Sequence, residues 1–183
     1  MIEVRWHGRG GQGVVTSSQL LAFAAIQEGK YAIHIPQFGP ERRGAPVQAF
    51  TRISDDIIQV RCGVLNPDIV VVIDPSLLQP QFRSLILSGV KDTTKIIYNT
   101  PNPDAAKPID NLETYVVDAF HIALEVIGRP IYNTAMLGAL VGVTKLVELE
   151  SVLDAVKRRF SGKIAEVNVK AVERGFKEVR KIE

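Results

Sequence analysis

The chain has 183 residues, of which 46% are apolar and 23% are charged, and its formal net charge is +2 at neutral pH. These proportions are average for a globular protein, so they exclude a disordered or fibrous chain, and the length suits one domain covering residues 1–183. The mild net charge, with only short basic clusters, argues against nucleic acid as a partner, because nucleic-acid surfaces need clustered cations.

Two further features of the sequence narrow the class of protein. Cys62 is the only cysteine, which excludes an internal disulfide and any cysteine-ligated iron–sulfur cluster built by this chain alone. No secretory signal is expected, and no apolar stretch reaches the roughly 20 residues that a membrane-spanning helix needs. We therefore expect a cytoplasmic protein with no membrane partner. If it takes part in electron transfer, another chain carries the electrons.

The first predicted elements are a strand, a tight turn and a helix. Residues 2–6 alternate apolar and polar side chains, and four glycines follow within residues 8–13. A helical apolar pattern then runs to Gly29, a residue suited to a helix C-terminus. Residues 31–35 supply a second strand, which makes this segment the first half of a β-α-β unit.

An antiparallel hairpin is predicted next. Residues 47–54 alternate in polarity, and two aspartates separate them from a second apolar run at residues 57–60. Residues 69–73 are continuously apolar, as in a strand buried on both faces of a parallel sheet. This strand stops at Asp74, which is a candidate site residue at the carboxyl edge of the sheet or, equally, a cap for the following helix.

The rest of the sequence predicts further strands and helices in alternation, followed by helices alone. Strands are expected at residues 95–98 and 114–117. Helices are expected at residues 79–87, after the second of these strands to near Gly128, and at residues 131–143, 151–160 and 164–179. The predicted fold class is α/β: a Rossmann-like three-layer domain with a mostly parallel sheet, an antiparallel hairpin addition and C-terminal helices.

The glycine-rich turn predicts an anion site, because glycine lets a ligand approach the backbone and the N–H groups of a helix N-terminus attract phosphate or carboxylate. The spacing Gly8-x-Gly10-x-x-Gly13 matches the dinucleotide fingerprint, but the second strand does not end in the acid that would hold a ribose. Arg9 adds a cation suited to an anionic ligand, with an ordinary exposed arginine as the alternative. A turn that only packs the helix against the sheet is the other interpretation of the glycines.

Two later segments are candidates for the same site. The loop that contains Glu41, Arg42, Arg43 and Gly44 presents two arginines, whose forked guanidinium groups bind phosphate or carboxylate. The alternative is a solvated turn in which one arginine pairs with Glu41. Asn133 opens a predicted helix, where an N-cap is the simplest role and a ligand contact the alternative. The histidines have no metal-ligand spacing, so neither a catalytic nor a metal-binding residue is assigned.

Four segments together resemble the gamma subunit of 2-oxoacid:ferredoxin oxidoreductases over nearly the whole chain. They are residues 8–13 after an N-terminal strand, residues 39–47 before Arg52, the apolar strand that ends in Asp74, and Asn133 with Leu137. The Glu-Arg-Arg-Gly-Ala-Pro form of the second segment most resembles the pyruvate enzyme, also called pyruvate synthase. The branched-chain 2-ketoisovalerate enzyme is close behind.

This resemblance implies a subunit and not a complete enzyme. In that family thiamine diphosphate lies between the alpha and beta subunits, iron–sulfur clusters lie in beta and delta, and the assembly converts a 2-oxoacid and CoA to acyl-CoA, CO2 and reduced ferredoxin. The implied partners are the alpha, beta and delta subunits, with ferredoxin as the electron acceptor of the complex and self-association open to the isolated chain. The gamma chain would contribute CoA binding and active-site closure, with CoA as co-substrate and no other cofactor bound by this chain alone.

The expected CoA-binding residues are Gly8, Arg9, Gly10, Gly11, Gln12, Gly13, Glu41, Arg42, Arg43, Gly44 and Asn133. Two other functions stay open at this point. One is a self-sufficient dinucleotide-binding oxidoreductase, and the other is a scaffold subunit whose turn and loop bind partner subunits and no ligand.

Overall fold

The computed structural model describes residues 1–37 and 44–183. Seven strands and six α-helices occur in these ranges, together with 3₁₀ turns at Pro75–Leu78 and Pro103–Ala105. In chain order they are β1 (Ile2–Arg9), α1 (Val14–Gln27), β2 (Tyr31–Gln37), β3 (Pro46–Ser54), β4 (Ile69–Val72), α2 (Pro80–Leu87), β5 (Lys95–Asn99), β6 (Glu113–Val117), α3 (Ala119–Val126), α4 (Asn133–Thr144), α5 (Leu149–Arg159), α6 (Gly162–Glu178) and β7 (Arg180–Ile182).

The strands form one sheet in the order β2-β3-β1-β4-β5-β6-β7. Neighbouring strands from β1 through β4 and β5 to β6 pair in parallel, whereas β3 is antiparallel to both β1 and β2, and β7 is antiparallel to β6. Strands β1, β2, β4, β5 and β6 therefore run in one direction, and only β3 and β7 are reversed. The predicted α/β class, with a mostly parallel sheet, an antiparallel addition and C-terminal helices, is confirmed.

The antiparallel addition uses other strands than the sequence predicted. β3 pairs with β2 on one side and with β1 on the other, and residues 57–60, the predicted hairpin partner, lie outside any strand. Both edges of β3 are thus occupied. In addition, the Arg52 guanidinium donates to the carbonyl oxygens of Cys62 at 2.6 Å and Gly63 at 3.1 Å, so the chain after β3 is held by a side chain and not by a strand ladder.

Strand β7 was not predicted from the sequence. It has three residues and pairs with β6 at the edge of the sheet, where Arg180 and Lys181 are exposed and only Ile182 is half-buried. A strand this short carries no alternation long enough to be recognised.

The sheet separates two apolar cores, which explains the continuous apolar run of β4. Val71 and Ile73 point into the larger core with α1, α4, α5 and α6, whereas Val70 and Val72 point into a smaller core that α2 covers with Ile86. Since successive side chains of a strand face opposite sides, both sets are buried at once. Among the described helices, none is long and apolar enough to cross a membrane.

Helices α4 and α6 pack backbone against backbone in the larger core. A Cβ atom on Gly138 would lie 2.0 Å from the Val172 carbonyl oxygen, and one on Gly175 would lie 1.9 Å from the Ala135 carbonyl oxygen. No side chain fits at either position. The two glycines therefore set the separation of the helices, and α4 begins at the candidate site described below.

Replacing either interface glycine by alanine should destabilise the protein. In an ordinary helix Gly→Ala stabilises by about 0.5–1 kcal/mol, but Gly138→Ala or Gly175→Ala must push the helices apart, which costs about 1–3 kcal/mol or more. Urea unfolding of each variant beside the parent measures the difference. An unfolding free energy equal to or above that of the parent would contradict the close packing.

Candidate functional site

The glycine turn lies at the carboxyl end of β1, next to the end of β4 and the start of α4. Gly13 occupies the N-cap position of α1 with a φ of 78°, and no described side chain caps this helix. The N-terminus of α1 therefore keeps its electropositive character toward the space above it.

Two glycines of the turn are required for packing. A Cβ atom on Gly8 would lie 2.5 Å from Val14 Cγ2, and one on Gly13 would lie 2.6 Å from Asn133 Nδ2. Their absence of side chains lets β1, α1 and α4 meet at one point. The packing interpretation therefore applies to these two positions, but it concerns only their missing side chains and does not exclude a ligand at backbone N–H groups of the turn.

Some backbone N–H groups of the turn donate hydrogen bonds within the protein, and others have no partner in the described residues. The Gly10 N–H donates to the Ala45 carbonyl oxygen at 2.9 Å, and the Gln12 N–H donates within the turn at 3.1 Å. The N–H groups of Gly11 and Gly13 have no hydrogen-bond partner within the described part of the chain. These two, with the first turn of α1, are the donors that the geometry leaves for an anion.

The side chain of Gln12 ties the turn to its surroundings. Its Oε1 accepts a hydrogen bond from the Arg9 N–H at 2.6 Å, and its Nε2 donates to Asp74 Oδ2 at 2.6 Å and to the Tyr132 hydroxyl at 3.1 Å. The amide thus joins β1, the end of β4 and the residue before α4. Its interactions within the protein make Gln12 a positioning residue, and its predicted contact with a cofactor stays a prediction.

The Arg9 side chain lies against Ser76, Gly44 and Asp74 and does not extend into solvent. Its Nε and Nη2 donate to Ser76 Oγ at 3.0 and 2.7 Å, its Nη1 donates to the Gly44 carbonyl oxygen at 3.0 Å, and its Nε lies 3.5 Å from Asp74 Oδ2. The guanidinium also lies 5.2 Å from the centre of the Phe82 ring. Its charge is therefore partly offset by a carboxylate.

Asp74 combines the two roles that the sequence left open. Its Oδ1 accepts from the Ser76 N–H at 2.9 Å and so caps the 3₁₀ turn, while its Oδ2 faces Gln12 and Arg9. The residue lies at the carboxyl end of β4, beside the glycine turn. Its carboxylate orders this edge of the sheet.

The end of the arginine-containing loop is anchored on the glycine turn. The Gly44 N–H donates to the Gly10 carbonyl oxygen at 3.2 Å, and the Gly10 N–H donates back across to Ala45. The predicted site residues Glu41, Arg42 and Arg43 lie outside the described residues. Of the predicted loop residues, the structure thus brings Gly44 to the turn.

Asn133 lies at the site but does not cap its helix. Tyr132 occupies the N-cap position of α4, and Asn133 is the first helical residue. Its side chain, 4% exposed as a residue, donates from Nδ2 to the Gly13 carbonyl oxygen at 3.4 Å, and its own carbonyl oxygen accepts from Ser17 Oγ at 3.0 Å. The predicted N-cap is wrong because the amide is turned toward the glycine turn and away from its own helix.

His7, immediately before the turn, is fully buried and neutral. Burial, and then the nearby charge of Arg5, lower the pKa of His7 from 6.5 to about 3. Arg5 Nε donates to His7 Nε2 at 3.1 Å, and the same guanidinium donates to the carbonyl oxygens of Ile86 at 2.8 Å and Ser88 at 2.7 Å. These hydrogen bonds join β1, just before the glycine turn, to the C-terminal end of α2.

A cavity of about 480 Å³ opens beside the free face of the turn. It lies between the N-termini of α1 and α4, the segment joining α3 to α4, and the start of α6. Its lining consists of Gly11, Gly13, Thr16, Ile127, Arg129, Ile131, Asn133, Phe160, Lys163, Ile164, Val167 and Asn168. Sequence reasoning missed Arg129 and Lys163, because neither stands in a motif. In the described ranges, no group of three His, Cys, Asp or Glu side chains is arranged as a metal site.

The chain belongs to the pyruvate ferredoxin/flavodoxin oxidoreductase family, whose model matches residues 3–178. It is 49% identical over 181 residues to the common gamma subunit of the pyruvate and ketoisovalerate oxidoreductases of Thermococcus kodakarensis, with 96% of each chain covered. The structure of the pyruvate oxidoreductase subunit PORC of Thermotoga maritima is similar with a TM-score of 0.85 at 41% identity, covering 100% of this chain and 98% of that one.

A more distant structure shares the fold alone. It is the 2-oxoglutarate:ferredoxin oxidoreductase of Magnetococcus marinus, solved with 2-oxoglutarate, coenzyme A and succinyl-CoA bound. Its TM-score is 0.78 at 20% identity, and the match covers 95% of this chain and 30% of that one.

These comparisons confirm the resemblance drawn from the sequence. The chain is of the gamma-subunit type of a multi-subunit pyruvate or related 2-oxoacid:ferredoxin oxidoreductase, and its enzymatic role is that of an oxidoreductase subunit.

The buried His7 should make the fold sensitive to acid. In the unfolded chain the His7 imidazole becomes protonated below about pH 6.5, whereas in the folded chain it stays neutral down to about pH 3. The unfolded state therefore binds more protons in this window, and the free energy of unfolding falls as the pH falls through it. The contribution is about 1.4 kcal/mol per pH unit. His7→Gln keeps an acceptor for Arg5 but does not titrate, so its unfolding free energy should fall less steeply between pH 6 and 4 in urea titrations. Equal slopes for variant and parent would refute a buried neutral His7.

Gln12→Glu should loosen the turn. The new carboxylate would stand where an amide now donates to Asp74 Oδ2 at 2.6 Å, so at pH 7 repulsion replaces a hydrogen bond, at a cost of about 1–3 kcal/mol. Gln19→Glu is the matched control, since Gln19 is an exposed residue of α1. Urea unfolding at pH 7 should separate the two variants, and equal stabilities would show that the Gln12 amide is dispensable.

Proposed function

We propose that this chain provides the CoA-binding surface of a multi-subunit 2-oxoacid:ferredoxin oxidoreductase and contributes to closing its active site. The observation that carries the proposal is the glycine turn: it has an uncapped helix N-terminus, and Gly11 and Gly13, whose N–H groups have no partner in the described part of the chain, line a cavity. Such groups bind phosphate oxygens, and CoA carries a diphosphate and a 3′-phosphate.

The arginine-containing loop is the second part of the proposed surface. Gly44 is hydrogen-bonded to Gly10, and Arg42 and Arg43 immediately precede it in the sequence. A guanidinium group suits a phosphate because it can donate two parallel hydrogen bonds to the phosphate oxygens. Arg9, which is held by Asp74 and Ser76 and donates to the Gly44 carbonyl oxygen, acts in this proposal by positioning the loop end.

The proposed partners follow from the gamma-subunit type. Alpha, beta and delta subunits would complete the enzyme, thiamine diphosphate and iron–sulfur clusters would be bound by those chains, and ferredoxin would take the electrons. We propose pyruvate as the 2-oxoacid, with 2-ketoisovalerate as the second candidate, because a relative is named for both. The cytoplasmic location, the single domain and the self-association of the isolated chain stay predictions.

A self-sufficient dinucleotide enzyme is disfavoured by the sheet order. In a dinucleotide-binding half the strand after the first helix lies beside β1 and ends in the acid that holds the ribose. Here β3 separates β2 from β1, which moves the end of β2 one strand away from the glycine turn. An assay of NAD(P)H binding to the isolated chain tests this alternative. Binding would support a dinucleotide-dependent enzyme, and absence of binding would exclude it.

The arginine role is tested in the assembled oxidoreductase. Arg42→Ala and Arg43→Ala should each raise the KM for CoA by about 10- to 100-fold, because a charge-assisted hydrogen bond contributes about 1.5–3 kcal/mol. The kcat at saturating CoA should change little. Arg180→Ala is the control, since Arg180 is an exposed arginine paired with Asp104 at the far edge of the sheet.

An unchanged CoA dependence in both variants would remove the arginines from the site. If the whole complex bound CoA without any contribution from this subunit, the scaffold interpretation would replace the proposal. Partial reconstitution with and without the gamma-type chain, followed by CoA-binding calorimetry, separates these outcomes.

A further inference from the structure

The cavity beside the glycine turn has a cationic rim and an apolar wall. Arg129 and Lys163 are its two charged lining residues, and neither Asp nor Glu occurs in the lining. Both cations are exposed, and neither forms a salt bridge within the described ranges. This distinguishes them from Arg9, whose charge is shared with Asp74. The rim therefore favours a negatively charged group.

The wall of the cavity is formed mostly by aliphatic side chains and one aromatic ring. It is built by Ile127, Ile131, Phe160, Ile164 and Val167. Ile164 is 60% exposed and Ile131 is 42% exposed, so apolar surface at the mouth faces solvent. Covering it is favourable by about 25 cal/mol per Å². The occupant should therefore carry an apolar or weakly polar body attached to its anionic group.

Two amide side chains lie at the back of the cavity. Asn168 is 6% exposed and is satisfied by Thr134 Oγ1 at 2.9 Å and by the Ile164 carbonyl oxygen at 2.8 Å. Asn133 makes one long hydrogen bond, 3.4 Å to the Gly13 carbonyl oxygen, and its Oδ1 has no partner in the described part of the chain. Because Asn133 lines the cavity, its amide oxygen can accept a hydrogen bond from an N–H donor on an incoming ligand.

Size and position favour a small molecule over a protein segment. The volume of about 480 Å³ falls in the range of about 300–1,000 Å³ typical of small-molecule sites, which are largely apolar with a few convergent polar groups. The cavity also includes Gly11 and Gly13, so it is continuous with the proposed phosphate-binding turn. Phosphopantetheine combines an anionic group, a weakly polar arm and amide N–H donors.

We propose that this cavity receives the phosphopantetheine arm of CoA. Lys163 and Arg129 face its phosphates opposite the glycine turn, the isoleucine wall covers the arm, and Asn133 accepts from an amide of the arm. The inference rests on the proposed CoA-binding function and adds residues to it.

The test uses the assembled oxidoreductase with Lys163→Ala and Ile164→Asp, and with Lys170→Ala as the matched control. Lys170 is exposed on the same helix and does not line the cavity. Lys163→Ala should raise the KM for CoA by about 10-fold through loss of one charged contact. The kcat at saturating CoA should stay within about twofold of the parent, and Lys170→Ala should leave both constants unchanged.

4′-Phosphopantetheine, which lacks the adenosine end, is the second probe. As a competitive inhibitor against CoA it should weaken in Lys163→Ala by the same factor as CoA, and weaken further in Ile164→Asp, whose carboxylate opposes the phosphate. Equal inhibition of the parent and the Lys163 and Ile164 variants would overturn the assignment of the arm to this cavity.

Three further outcomes are distinct. If the arginine variants raise the KM for CoA while Lys163→Ala and Ile164→Asp leave it unchanged, the CoA-binding function stands and the cavity inference fails. If no variant in either set alters the KM, the proposed function itself fails. If Ile164→Asp instead reduces the yield of intact complex in gel filtration at unchanged KM, the cavity is covered by a partner subunit, and the inference is wrong.

Discussion

The Gln12 amide is the interaction on which the candidate site depends. A turn with four glycines has little intrinsic preference for one conformation, since each glycine admits several backbone states. The amide oxygen holds the Arg9 N–H, while the amide nitrogen reaches Asp74 and the Tyr132 hydroxyl. One side chain therefore fixes the turn to two elements that lie 62 and 120 residues further along the chain, and the orientation of the α1 N-terminus follows from it.

The cations of the site fall into two groups with different tasks. Arg9 is surrounded by Ser76, the Gly44 carbonyl oxygen and Asp74, so it holds protein parts together and has little charge left to attract a ligand. Arg129 and Lys163 border the cavity and form no ion pair with a carboxylate among residues 1–37 and 44–183. A chain with a formal net charge of only +2 can in this way present a locally cationic surface, because what matters to an anion is the arrangement of charge near it.

Sequence reasoning succeeded where one local pattern determines the structure and failed where distant partners do. The run at residues 69–73 predicted β4 because burial on both faces leaves a continuous apolar signature. The alternation of residues 47–54 identified a strand but could not name its neighbours, and the use of Arg52 to hold the following carbonyls leaves no local trace. Asn133 resembled an N-cap because asparagine before a helix usually is one, yet its amide faces Gly13, 120 residues away. Arg129 and Lys163 become neighbours of the turn only through packing of the helices.

Because β3 pairs directly with β1, the position of the end of the loop before β3 does not depend on the length of that loop. The β1–β3 ladder aligns Gly8 with Val47 and Arg9 with Pro46, and Gly44 is bonded to Gly10 just beyond it. Residues inserted or removed between Gln37 and Gly44 would therefore leave that end in register with the glycine turn. Relatives can therefore vary the length and the sequence of this segment without rebuilding the sheet.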